Sequence, residues 1–156
     1  MGCSLWSFLT GELGIAPAYV KERITTIFLD GEVVDSLEEA VVRDGSLLAL
    51  SAALPGLAGA TLRRGGFYSA MRSAITHGAD STPSAAGAAG AVRVKLFNLL
   101  IPELGPALLA HGIVLEQRAA AEVLPGGCDA LGALPAAGPV LLRVRFAEEQ
   151  QGRSRA

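Results

Sequence analysis

The run Ile24-Thr25-Thr26-Ile27-Phe28-Leu29 is β-branched and aromatic, and it halts at Asp30-Gly31 before Glu32-Val33-Val34. Asp-Gly is one of the few dipeptides that accept the positive φ angles of a two-residue hairpin turn, whose twist matches that of the flanking strands. The chain is therefore expected to fold back on itself here, pairing 24–29 with 32–34. A second Asp-Gly, Asp44-Gly45, leads into Ser46-Leu47-Leu48-Ala49-Leu50-Ser51, another strand. A lone hairpin is marginal in water, so the strands at 24–29 and 46–51 require a neighbour, for which 92–96 and 140–146 are the candidates.

The helical signals are shorter. Leu5, Phe8, Leu9 and Leu13 share one face at helical spacing behind a Ser4 cap, with Gly14 and Pro17 as the stop, which predicts a helix over about 4–13. Ser36 and Glu39 have the spacing of a capping box and predict a short turn. Arg63-Arg64-Gly65-Gly66 leads into Phe67–Ile75, read as a short helix. Further on, Val92, Val94 and Leu96 alternate with Arg93 and Lys95 as in a half-exposed strand, and Pro102 opens a helix that ends at His111-Gly112. Ile113–Leu115 reads as a strand, Arg118–Leu124 as a short helix and Val140–Phe146 as a last strand.

The order of these pieces from Leu5 to Ser51 resembles the second half of a β-grasp (ubiquitin-like) sulfur carrier of the thiamine and molybdopterin type. The likeness rests on Leu5-x-x-Phe8-Leu9, on Ile24–Leu29 running into Asp30-Gly31-Glu32-Val33-Val34, on the acidic turn Ser36–Ala40, and on Val42–Leu50 with its Asp44-Gly45. In that family an Asp-Gly turn feeds the last strand, a β-hairpin precedes the helix, and a C-terminal Gly-Gly is adenylated and thiolated. Here no hairpin precedes the helix, so either it is lacking or the later strands complete the sheet. Gly65-Gly66 is internal, so carrier chemistry would require cleavage after Gly66. The expected fold class is α+β: a β-grasp-like unit over 1–76, a flexible linker over 77–91, a smaller αβ segment over 92–147 and a tail over 148–156.

Composition narrows the function classes without choosing among them. The 156 residues are 51% hydrophobic and 18% charged with a net charge of −2, so no whole-chain field draws in nucleic acid or an anionic membrane. The mean hydropathy of +0.42 comes largely from alanine, and no charge-free apolar run approaches the ~20 residues of a spanning helix. Charge is uneven, however: residues 1–44 hold eight acids and three bases, whereas 45–79 hold Arg63, Arg64 and Arg72 and no acid. The segment 78–91 is small and polar, too poor in apolar surface to offset its ordering entropy. Two cysteines, Cys3 and Cys128, form neither a disulfide framework nor a metal motif, which fits a reducing cytoplasm. Met1-Gly2-Cys3-Ser4 invites a lipidation reading, but Trp6 stands where the myristoylation pattern wants Ser or Thr.

Arg63, Arg64, Gly65 and Gly66 form the candidate anion site. Glycines let backbone approach a phosphate or carboxylate, and a following helix N-terminus with two guanidiniums would add donors and charge. The competing reading is a glycine turn with two surface arginines. Arg93, Lys95, Arg143 and Arg145 would make one basic sheet face if their strands were neighbours. His77 and His111 have no triad partners nearby, Glu38-Glu39 points in two directions, and Gly126-Gly127-Cys128 lacks a resolving partner. The expected function is a non-catalytic binding or carrier-like module contacting another protein through its sheet, with a small anionic ligand at Arg63–Gly66. No motif names a cofactor, and neither a membrane nor nucleic acid is an expected partner. The alternatives are a small enzyme using Arg63, Arg64 and Tyr68 on an anionic substrate, or a subunit of a larger assembly.

Overall fold

The architecture is α+β. The computed structural model describes residues 2–68, 90–124 and 138–146. It starts from the expected hairpin: β2 (Thr26–Leu29) and β3 (Glu32–Val33) pair antiparallel, with Phe28 opposite Val33 and Leu29 opposite Glu32. Asp30 and Gly31 adopt φ of 52° and 94°, the two positive values a tight hairpin turn needs. The Asp30 carboxylate then reaches across to β5 (Leu47–Ser51), accepting from the Leu47 amide at 2.7 Å and the Ser46 hydroxyl at 3.0 Å.

β5 is one of the two inner strands of a four-stranded sheet ordered β3-β2-β5-β6, antiparallel to β2 and parallel to β6 (Arg93–Phe97). The neighbour for the 46–51 strand is thus 93–97, while 140–142 belongs to another sheet. One face carries Ile27, Leu29, Leu48 and Leu50, all fully buried, with Val94 and Leu96 partly buried beside them. Each such Ile or Leu contributes about 1.5–3 kcal/mol on burial. Leu5, Phe8, Leu9 and Val20 from the N-terminal helical segments join the same core, as do Leu100 and Leu104. A two-stranded ladder of β1 (Cys3–Ser4) with β4 (Val41–Val42) brings the N-terminus alongside.

The N-terminal helix departs from regular geometry. Ser4 caps α1 (Leu5–Ser7) through the Ser7 amide at 3.2 Å, but Phe8–Glu12 then widens to a π-helix, with the Leu13 amide bonded to the Phe8 carbonyl at 2.9 Å. Pro17, expected to mark only the stop, occupies the first turn of a second helix, α2 (Pro17–Glu22), where its missing N–H is an orphan anyway. A further helix, α3 (Gly56–Leu62), has no counterpart in the sequence reading, because Gly56 and Gly59 depress its propensity. Ser36–Ala40 forms the predicted turn, with the Glu39 amide bonded to the Ser36 hydroxyl at 3.3 Å.

The chain divides into two compact units, Met1–Gly105 and Pro106–Ala156. The division falls inside α4 (Leu100–His111), at Pro106, which has no amide to donate along the helix. α4 begins at Leu100, so Pro102 lies within its first turn rather than opening it. In the second unit β7 (Ile113–Glu116) pairs antiparallel with β8 (Pro139–Leu142), and α5 (Gln117–Val123) lies between them in sequence. Gly112 sits at φ 121°, and a Cβ there would press within 3.1 Å of Leu141. β8 stops at Leu142, and Val144 turns its amide to the Leu109 carbonyl at 3.0 Å, which ends the strand before Arg143 and Arg145. With β6 and β8 in separate sheets, Arg93, Lys95, Arg143 and Arg145 do not form one basic sheet face.

The linker proposed over 77–91 apart from Gly90 and Ala91, most of the helix proposed over 67–75, His77, Gly126-Gly127-Cys128 and the tail over 148–156 lie outside the described residues. Because β6, Leu100 and Leu104 complete the first sheet and its core, deleting residues 92–156 should leave the remaining 1–91 fragment without a cooperative thermal transition by circular dichroism. A sharp two-state melt of that fragment would contradict this.

Candidate binding face

Side chains alternate across a sheet, so the face opposite the core is read from the register. Its rows run Thr26–Ser51–Phe97, then Phe28–Ala49–Lys95, then Leu47–Arg93. Thr26 and Val33 on this face are each 1% exposed, whereas Arg93, Lys95 and Phe97 are open, with Phe97 at 45%. The face is thus covered toward β3 and accessible along β6. Ala49 and Ser51 are small, and between the larger Phe28, Leu54 and Phe97 they leave a shallow apolar recess of about 160 Å³.

The end of β6 next to Phe97 is held by Asn98, which the sequence alone did not single out. Asn98 takes φ 55° just after β6 and donates its side-chain amide to the Ala53 carbonyl and, at 3.4 Å, to the Ser51 hydroxyl. Ser51 in turn donates to Ala53 at 3.2 Å. These bonds tie the end of β6 to the segment leaving β5 and so fix the backbone that carries Phe97. Asn tolerates the left-handed conformation, which is the one signal the sequence offered.

The predicted anion site is arranged differently from its expectation. Arg63–Gly66 follows α3, so the helix end it meets is a C-terminus; of the helix proposed over 67–75 only Phe67 and Tyr68 are described, and they lie in a turn. The Arg64 guanidinium donates to the Val20 carbonyl of α2 at 3.0 Å, and its backbone amide donates to Thr25 at 2.8 Å. Burial pulls its pKa below the ordinary value, with Glu38 and Asp35 acting in the opposite direction. Arg64 therefore satisfies a helix-terminal carbonyl, whereas Arg63 is exposed. The Gly66 amide closes a turn on the Arg63 carbonyl at 3.1 Å. Tyr68, named in the enzyme alternative, packs edge-on to the exposed Phe67 ring with centroids 5.2 Å apart.

A second cluster, unseen in the sequence, joins α2 to the first turns of α4. The Glu103 carboxylate accepts from both the Tyr19 hydroxyl and the Arg23 guanidinium, the latter bidentate. These hydrogen bonds, Arg23 first, hold the Glu103 carboxyl down at about 2. Tyr19 is pushed up to about 12 by burial and by the adjoining carboxylate, and Arg23 is also raised by its bond to Glu103. Its three members satisfy one another, an arrangement suited to fastening helices. Elsewhere, Lys21 lies 5.3 Å over the half-buried Trp6 ring, His111 is exposed at the end of α4, Cys3 is half-buried in β1, and Glu38 and Glu39 are exposed. Among the described residues no group of three or more His, Cys, Asp or Glu could hold a metal ion.

Two measurements check these assignments. A carboxyl whose folded pKa is depressed gives stability that is present above its ordinary value of 4.5 and is lost as pH falls through about 2. The Tm gap between wild type and Glu103→Gln should thus be widest above about pH 4.5 and narrow toward pH 2; a gap independent of pH would show that the carboxylate does not stabilise the fold. Arg64→Ala removes a half-exposed charge-assisted bond and should cost about 1 kcal/mol in urea unfolding. An unchanged midpoint would free Arg64 for ligand binding instead.

Comparison with known proteins finds no matching family model, no matching curated protein and no matching solved structure.

Proposed function

We propose that this chain is a non-catalytic binding module, carrier-like in fold, that contacts another protein through the open part of its four-stranded sheet. The observation that carries this reading is Phe97, 45% exposed beside the apolar recess between Phe28, Ala49 and Leu54. Aromatic side chains next to shallow pockets are the usual anchors of protein interfaces. The size of the recess favours a protein side chain over a metabolite, since about 160 Å³ is well below the roughly 300–1,000 Å³ of small-molecule sites.

The β-grasp likeness supports the same reading. What supports the likeness is the Asp30-Gly31 hairpin, a β5 preceded by Asp44-Gly45, and a parallel neighbour for β5 in β6, a strand later in the chain. A sulfur-carrier role would still need a free carboxylate at Gly66. Of the residues proposed for an anion contact, Arg63, Arg64, Gly65 and Gly66, Arg64 is engaged with Val20. The same engagement weighs against the enzyme alternative. No helix among the described residues is long and apolar enough to cross a membrane, and the two cysteines support a cytoplasmic placement.

Native mass spectrometry of the chain purified gently from the cells that make it tests the proposal. Wild type should appear in an assembly heavier than the chain, and Phe97→Asp should release the chain at its own mass while keeping the wild-type circular dichroism. Identical assemblies for both forms, or wild type found only as a free chain, would overturn it.

A further inference from the structure

β6 is the last strand of its sheet, and the ladder on its inner side fixes what its outer side offers. The Arg93 amide donates to the Ser46 carbonyl at 2.9 Å, and the parallel register continues through Phe97 opposite Ser51. In such a ladder alternate residues face the same way, so the amides and carbonyls of residues 93, 95 and 97 point toward β5. Those of Val94 and Leu96 point outward, and among the described residues no strand pairs with them. Arg93, Lys95 and Phe97 stand in line on the open face, and neither cation has an ion-pair partner among the described residues. Their in-register neighbours on β5, Leu47 and Ala49, carry no charge.

We propose, on the strength of the binding-module reading, that β6 accepts an extended acidic segment of a partner protein as a fifth strand. Main-chain bonds form to Val94 and Leu96, two carboxylates stand opposite Arg93 and Lys95, and one apolar side chain stands opposite Phe97 at the mouth of the recess. Strand addition takes its affinity from the backbone and its specificity from alternate side chains, and this edge presents two cations and one aromatic ring at that alternation. Charge also disfavours two of the registers that a second copy could take. An antiparallel β6–β6 pair centred on Lys95 sets Lys95 against itself, and one centred on Val94 sets Arg93 against Lys95; like charges directly opposite are unfavourable. The two exposed cations equally keep the edge from pairing indiscriminately until an acidic strand meets them.

The test uses the full chain and two capped peptides, Thr-Leu-Val-Glu-Val-Glu-Thr and its counterpart with both Glu replaced by Lys. The acidic peptide should bind and slow amide exchange at Val94 and Leu96 at least tenfold, with little change at residues 93 and 95, whose amides are already bonded. R93E/K95E, at exposed positions, should weaken the acidic peptide at least tenfold and bind the Lys peptide in its place; single Lys95→Glu should move both affinities in the same directions by a smaller factor. Equal binding of the two peptides to wild type, or no binding at millimolar concentration, overturns the proposal. So does a peptide-free dimer that R93E/K95E abolishes. Binding that shifts Phe28 and Ala49 resonances but leaves Val94 and Leu96 exchanging overturns the added strand alone and leaves the sheet-face module standing.

Discussion

Asp30 sits where three requirements of the first sheet coincide. Its backbone makes half of the hairpin turn, while its carboxylate bonds the Leu47 amide and the Ser46 hydroxyl at the entry to β5. Sliding β5 by one residue would break both bonds and rotate Leu48 and Leu50 from the core to the opposite face. Since β6 takes its register from β5, the position of Phe97 is ultimately referred back to this one side chain. The clamp of Tyr19, Arg23 and Glu103 has a similar relation to the helices, with charge-assisted bonds setting a geometry that apolar packing alone leaves loose.

The parts legible in the sequence are those whose cause is local. Asp30-Gly31 selects a turn type from two residues, and the β-branched and aromatic content of 24–29 marks a strand from its own run. His111-Gly112 ends a helix by a rule confined to its last turn. What escaped has causes that are distant or concealed. Glu103 lies eighty positions from Arg23, so nothing in either neighbourhood announces their bond. Arg64 read as one of a surface pair because the carbonyl it serves, that of Val20, belongs to another helix. α3 was hidden by its glycines, and Pro17 was read as punctuation when it was the first word of a helix.

The two opposite faces of the sheet also show how packing and function divide a small set of residues. Val94 and Leu96 face the core, while Arg93, Lys95 and Phe97, interleaved with them, face outward. An alternating strand of this kind serves both the core and the surface with five residues. The alternation of Arg93 and Lys95 with Val92, Val94 and Leu96 was visible in the sequence, whereas Phe97 and the recess between it, Phe28 and Leu54 follow only from the fold.

The parallel pairing of β5 with β6 has a consequence for biosynthesis. β5 is finished at Ser51, yet its second neighbour begins at Arg93, so the ribosome must make residues 52–97 before the inner strand is enclosed on both sides. At ordinary elongation rates that interval is on the order of 2–10 s, far longer than the microseconds in which the preceding hairpin closes. Throughout it the Leu47-Leu48-Ala49-Leu50 edge of the nascent chain stands open to any other strand. For this protein the hazard of mispairing is thus concentrated in one window of synthesis, and slower translation through residues 52–97 would lengthen it.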